Sequence, residues 1–215
     1  MKILISHRTE SAMKDNHSLF VFDDLLRMEY GEVICGVDEA GRGPLAGPVV
    51  CAAVILPANI IIEKLNDSKR MTKRSRNEVY DVIREEAVAY SVAFVDNKEI
   101  DCINILNATM KGMSKAIDSI GVMPDYIIID GNRVPGKLLE KAVSVIKGDS
   151  RSASIAAASV IAKVVRDEYM TEMDNLYPQY CFAKHKGYPT KLHYEKIEKY
   201  GITEIHRISF LKGRI

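Results

Sequence analysis

Apolar residues recur along this chain in two rhythms, one suited to helices and one to buried strands. From Asn16 to Tyr30, Phe20, Leu25 and Met28 fall at helical spacing, and Gly31 supplies a stop. Residues 1–30 therefore read as a helical extension packed on a domain that begins at residue 31. Val33 to Val37 is a short apolar run of the kind a buried strand needs. A second, Pro48 to Leu56, ends at Pro57. The glycine-rich stretch between them, Gly41 to Gly47, is too short for a helical crossover, so the two strands form an antiparallel hairpin. Thr72 opens a helix running to about Ala87, with Arg76, Glu85 and Glu86 on its wet side, and Tyr90 to Val95 makes a third strand. A long helix is predicted over Asn97 to Ile120, stopped by Gly121 and Pro124. Tyr126 to Ile129 is apolar on both faces, as the interior of a parallel sheet requires, and Val143 to Ile146 is a fifth strand. A second long helix spans Ala153 to Tyr177 and closes at Pro178. Its Ala156-Ala157-Ala158 run permits close approach to the sheet. The last amphipathic helix is Lys191 to Tyr200, within a small helical C-terminal part over about 178–215.

This order predicts an α/β domain with a five-stranded mixed sheet, three strands antiparallel and two parallel, flanked by helices. At 215 residues the chain holds one such domain and its appendages, with no internal repeat or low-complexity segment. No apolar run approaches the ~20 residues of a membrane span. Met1 to Glu10 has neither the apolar core nor the cleavage site of a signal peptide. Cys35, Cys51, Cys102 and Cys181 are widely spaced and form no zinc pattern, which suits reduced thiols in the cytoplasm.

The net charge of +1 says nothing about partners, but its distribution does. From Gly131 onward there are 15 Lys/Arg against 9 Asp/Glu, so the first 130 residues carry −5. An acidic half joined to a basic half suits a metal site facing a polyanion, although uneven surface charge alone can produce such a split.

Acids placed at the ends of buried strands carry the chemistry. Asp38-Glu39 is expected to end the first strand where the glycine turn begins. Adjacent strand residues point to opposite faces, so both can serve one site only if the backbone leaves regular geometry there. Asp130 ends the fourth strand in Ile-Ile-Ile-Asp-Gly-Asn, and Asp149 is expected to end the fifth in Val-Ile-Lys-Gly-Asp-Ser. Each alone could be a turn former. Together they converge on one sheet edge, where α/β proteins place their sites. Four such carboxylates repel one another and call for a cation. All-oxygen ligation selects Mg²⁺ or Mn²⁺, and two such ions about 4 Å apart are a recurring solution for phosphodiester hydrolysis. The turn also satisfies a loose dinucleotide fingerprint, Gly41-x-Gly43-x-x-Ala46, but a strand follows where that fingerprint needs a helix.

The segment Gly36-Val-Asp-Glu-Ala-Gly-Arg-Gly-Pro-Leu-Ala-Gly-Pro-Val-Val50 resembles the signature of the type 2 ribonuclease H family, bacterial ribonuclease HII in particular. Leu65-Asn-Asp-Ser-Lys69, Ile129-Asp-Gly-Asn-Arg133, Lys147-Gly-Asp-Ser-Arg151, Ala157-Ala-Ser-Val-Ile-Ala-Lys163, His185-Lys-Gly-Tyr-Pro-Thr190 and His206-Arg-Ile-Ser-Phe210 resemble that family too, in its order. The resemblance spans about residues 31–210 and implies a ribonuclease H-like fold. It places the metal-binding, catalytic carboxylates on Asp38, Glu39, Asp130 and Asp149. Asp167, beside Arg166 and Glu168, is a rival for the fourth position that reads better as a solvated or ion-paired helix residue.

In relatives the turn corresponding to Gly41-Arg42-Gly43 touches the 2′-hydroxyl at the cut, and the tyrosine corresponding to Tyr188 packs on the next sugar. Lys69, Asn132, Ser150, Lys184 and Lys186 are candidate phosphate contacts. The resemblance thus implies a monomeric, cytoplasmic endonuclease dependent on Mn²⁺ or Mg²⁺. Its substrates would be RNA–DNA hybrids and duplex DNA containing ribonucleotides, cut on the 5′ side to leave 3′-hydroxyl and 5′-phosphate ends. No Gln-x-x-Leu/Ile-x-x-Phe-Phe clamp-binding peptide is present, and the longer C-terminal tail of some relatives is not expected. The rival expectations are a two-metal resolvase of the same fold and a catalytically inert nucleic-acid-binding module.

Overall fold

A computed structural model describes residues 17–211. The first half of the expected extension, with the stretch read as lacking a signal peptide, lies outside the described residues, as does 212–215. The sheet has the order β3-β2-β1-β4-β5, with β1 Ile34–Ala40, β2 Val49–Ile55, β3 Ala89–Val95, β4 Tyr126–Asp130 and β5 Ala142–Val145. The β1–β2 and β2–β3 pairs are antiparallel, and β1–β4 and β4–β5 are parallel. This is the mixed architecture predicted from the hydrophobic pattern.

Two long helices cover the two faces. On one face α4 (Ala153–Leu176) lays its alanines against Ala52 and Val54 of β2. The approach is so close that a methyl on Gly36 of β1 would lie 2.2 Å from the backbone carbon of Ser154. On the other face α3 (Asn97–Asp118) packs Ala108, Met113 and Ala116 on Val37, Cys51 and Ala53. The single helix expected over Asn97 to Ile120 is broken. Asn104 takes φ 66°, and its side-chain oxygen accepts from the Asn107 N–H, so an asparagine inside the helical pattern caps a second segment. Thr72, before α2 (Lys73–Glu86), is the N-cap its position suggested.

Helix α1 (His17–Tyr30) buries Phe22 and Leu26 against Ile128, Val145 and Ile155, and Tyr30 stacks on Tyr126 with ring centroids 4.1 Å apart. At the other end of the chain, α5 (Phe182–His185), α6 (Lys191–Tyr200) and the segment to Leu211 enclose a separate cluster of Tyr180, Phe182, Ile197 and Ile205. That cluster takes in Leu45 and Ala46 of the glycine turn, and Ala46 bridges to His206. The tail is therefore built onto the turn. No helix among the described residues is long and apolar enough to cross a membrane.

Candidate active site

The acids gather because β1 outlasts its parallel neighbour. The β1–β4 pairing ends at Val37 opposite Ile129, and β4 stops at Asp130. Beyond that point β1 pairs only with β2, Asp38 opposite Ala52 and Glu39 opposite Cys51. This corrects the expectation that the strand ends at the acidic pair and loses its regular geometry. The ladder stays regular through Ala40, and Asp38 and Glu39 do face opposite sides of the sheet. Asp38 shares its side with α4, and Glu39 opens toward Arg42, Asp130 and Asn132 at the edge β4 has vacated. Asp149 lies in a single 3₁₀ turn, Gly148–Ser150, between β5 and α4. Asp130 Oδ1 accepts from the Gly148 N–H at 2.7 Å and so ties that turn to the end of β4.

Asp38, Asp130 and Asp149 each offer a carboxylate oxygen within 4.8 Å of the others. Burial pushes the Asp38 carboxyl well above the usual range, and the charges of Glu39 and Asp130 add to the shift. Burial also raises Glu39, opposed by Arg42 at 3.5 Å, and it raises Asp130, with Asp149 contributing. Lys69 reaches Asp149 at 3.1 Å. Burial alone would lower this lysine, but the hydrogen bond and charge of Asp149 hold it above its ordinary value. One lysine and one arginine do not balance four acids. Asp38, Asp130 and Asp149 form a close, all-oxygen and self-repelling donor set that fits a hard divalent cation, while Glu39 lies on the other side of the strand and bears on Asp130 through its charge.

Mn²⁺ or Mg²⁺ should accordingly raise the unfolding temperature. Asp38→Asn should raise it in chelator, by relieving repulsion, and should erase the cation's increment. At this chain length each kcal/mol corresponds to about 2–4 °C. Scanning fluorimetry with and without EDTA measures both effects, and a cation response that survives in the variant would remove Asp38 from the donor set.

The turn beside the acids is held from within by two arginines. Arg166 of α4 donates to the carbonyls of Pro48, Ala46 and Lys186 at 3.0, 3.2 and 3.0 Å. Arg207 donates to those of Gly47, Arg42 and Gly41 at 2.9, 3.0 and 2.7 Å. Both side chains are fully buried. Gly41 has φ +96°, and a methyl there would meet Arg166 Nε at 2.0 Å. Gly43 stands in open space, its nearest neighbour being the Tyr188 ring at 3.8 Å from where a methyl would sit. Tyr188 is 38% exposed and flanked by Arg166 and Lys163.

The remaining candidates separate. Asn132 is exposed and lines the cavity that also holds Glu39 and Arg42, and Lys184 is exposed on α5. The Ser150 hydroxyl donates to the Lys147 carbonyl, and Lys186 Nζ donates to Asp167 O and Thr171 Oγ1 on α4. Asp167 pairs with Lys163 at 2.6 Å and with Arg76 at 3.8 Å, as an ion-paired helix residue should. Sequence reasoning passed over Arg166 and Arg207, and also the buried Ser68–Ser159 hydroxyl pair, which carries a hydrogen bond on to Asp38. The only signal for any of them was membership of a recognisable motif.

Sheet order and acid cluster together define the class, a metal-dependent nuclease of ribonuclease H architecture. The family model described as Ribonuclease HII matches residues 35–212. The chain belongs to the ribonuclease HII family, and is thus an endoribonuclease and a hydrolase. The ribonuclease HII of Acetivibrio thermocellus is 53% identical over 184 residues, which is 86% of this chain and 72% of that protein. That of Caldicellulosiruptor bescii is 49% identical over 201 residues, 94% of this chain and 97% of that protein. Among solved structures, the ribonuclease H2 from Pyrococcus horikoshii aligns with TM-score 0.69 at 26% identity, covering 82% of this chain and 93% of that one.

Proposed function

We propose that this protein hydrolyses the RNA strand of RNA–DNA hybrids and also cuts duplex DNA on the 5′ side of an embedded ribonucleotide. The products would be a 3′-hydroxyl and a 5′-phosphate. The observation that carries this reading is an open glycine, Gly43, on the turn that follows Asp38 and Glu39, with the ring of the exposed Tyr188 lying 3.8 Å from where a methyl would sit. The 2′-hydroxyl is what distinguishes RNA from DNA, and a backbone without side chains can approach it closely. With the carbonyls of Gly41 and Arg42 drawn inward by Arg207, the outward side of the turn is left to its N–H groups and to the ribose. Tyr188 then packs on the following sugar, which a deoxyribose satisfies as well as a ribose.

Asp38, Glu39, Asp130 and Asp149 would hold the cations, two in the proposed arrangement. Bound there, Mg²⁺ or Mn²⁺ supplies an acidified water and neutralises the phosphate's developing charge. Lys69 pairs with Asp149 at 3.1 Å and, with Asn132 and Lys184, lies where phosphates of the duplex can be met. Ser150 and Lys186 would join them only by giving up their present hydrogen bonds. The proposed setting is the cytoplasm, with the protein acting as a monomer on nucleic acid. Four free thiols, two of them buried, suit a reducing compartment.

The test uses a labelled DNA duplex carrying one ribonucleotide, an all-DNA control and a continuous hybrid, each with Mn²⁺, Mg²⁺ or EDTA. A cation-dependent cut 5′ to the ribonucleotide, absent from the control, is expected. Tyr188→Ala should lower kcat/KM on the embedded ribonucleotide more than on the hybrid. Cutting of the all-DNA duplex would favour a resolvase-type nuclease instead, and inactivity on all three a binding module.

A further inference from the structure

Three buried histidines from three segments meet beneath Tyr188. They are His185 at the end of α5, His193 in the first turn of α6, and His206 in the tail. Their hydrogen bonds leave no choice about where the protons sit. His193 Nδ1 lies 3.0 Å from the Tyr188 carbonyl oxygen. That oxygen can only accept, so His193 carries its proton on Nδ1 and presents a bare Nε2. His206 Nδ1 receives the Thr203 backbone N–H at 2.8 Å. An amide can only donate, so His206 carries its proton on Nε2. The two Nε2 atoms are 3.1 Å apart, and the proton between them belongs to His206.

The result is a one-way chain from the Thr203 N–H through His206 and His193 to the Tyr188 carbonyl. His185 stands outside it but braces it. Its ring stacks on His193 with centroids 4.3 Å apart, its Nδ1 accepts from the Gly187 N–H, and its Nε2 donates to the Tyr180 carbonyl. Every ring nitrogen of the three is engaged. Burial lowers His185 and, together with the neighbouring histidines, lowers His193 to about 4, while burial takes His206 to about 4. The chain is therefore neutral at ordinary pH, and a further proton would set one N–H against another.

We infer that His193 is a positioning residue for Tyr188, and that the relay anchored at Thr203 sets the enzyme's preference for single embedded ribonucleotides over continuous hybrids. The inference rests on the role proposed above for Tyr188. The cationic ends of Lys163 and Arg166 lie over that ring, 5.9 and 5.7 Å from its centroid. Its place near Gly43 follows its backbone, and the His193 bond reaches that backbone from α6, a helix packed on α5 and on the 178–180 turn.

Two measurements on the full chain test this. Imidazole ¹⁵N NMR should find His193 as the Nδ1–H tautomer and both His185 and His206 as Nε2–H. Finding His193 protonated on Nε2 would overturn the relay whatever the kinetics. In the second, kcat/KM is compared on the embedded-ribonucleotide duplex and the continuous hybrid. His193→Phe keeps a ring but no nitrogen, and should lower the ratio of the two about tenfold, the scale of one buried hydrogen bond. His193→Asn, whose amide can still donate to Tyr188, should restore part of that loss, and His193→Phe should add nothing to the ratio in a Tyr188→Ala background. Equal losses on both substrates would show a merely structural histidine and overturn the proposal. A Tyr188→Ala variant with an unchanged ratio would instead sink the role given to Tyr188. The tautomer measurement keeps the relay testable if His193→Phe does not fold.

Discussion

Asp130→Asn is expected to abolish cleavage in a protein that folds as before. Asparagine keeps an oxygen where Asp130 Oδ1 accepts the Gly148 N–H, so the tie between the end of β4 and the Asp149 turn survives. What disappears is a charge within the acid group, one that bears on Asp38, Glu39 and Asp149 alike. A loss of at least about a thousandfold is expected, or ~4 kcal/mol of transition-state stabilisation. Stability should hold or rise, because removing a partly buried like charge relieves repulsion. Single-turnover cleavage with an unfolding curve for the same sample separates the two effects. Turnover within tenfold of the parent would remove Asp130 from the mechanism.

The largest loss of stability is expected from Gly36→Ala. The added methyl would stand 2.2 Å from the Ser154 backbone carbon and 2.4 Å from the Ile155 nitrogen. These are backbone atoms of α4, so no side chain can turn aside, and the helix must move off β1. Overpacking of this kind costs about 3 kcal/mol, or roughly 6–12 °C in unfolding temperature at this size. Activity should fall with it, because α4 carries Ser159 beneath Asp38 and begins just after the Asp149 turn. A variant that unfolds within a degree or two of the parent would mean that α4 is not held to the sheet as described.

How much of this could be read beforehand depends on the distance over which each feature is determined. Strands and helices were legible because periodicity is local: the Ile127–Ile129 run, the alanines of α4 and the threonine before α2 each declare themselves within a few residues. The break at Asn104 was missed because its neighbours continue the helical pattern, and only the side-chain cap shows that the backbone has turned. The strand-end acids Asp38, Asp130 and Asp149 do come together, but not because β1 leaves regular geometry. What brings them together is that β4 ends while β1 continues, a matter of register between strands some 90 residues apart, which no local pattern records. Arg166 and Arg207 were illegible for a related reason. An arginine in a sequence reads as surface, and the carbonyls that compensate these two lie more than a hundred residues away, except for Lys186. Ser150 shows the reverse, a polar residue in the right motif whose present partner, Lys147, is a close neighbour in sequence.

The clamp of Arg207 on the turn also has a consequence in time. A ribosome makes the turn early, since residues 41–47 emerge long before the tail, but the group that grips three of its carbonyls lies 160 to 166 positions later. Loops of that length close only when both ends are free to meet. A nascent chain can thus assemble most of its sheet while that turn still lacks half its internal support. The turn is gripped by both arginines only once residue 207 has been made, so a product truncated before it would carry the acids beside a turn that lacks the Arg207 bonds.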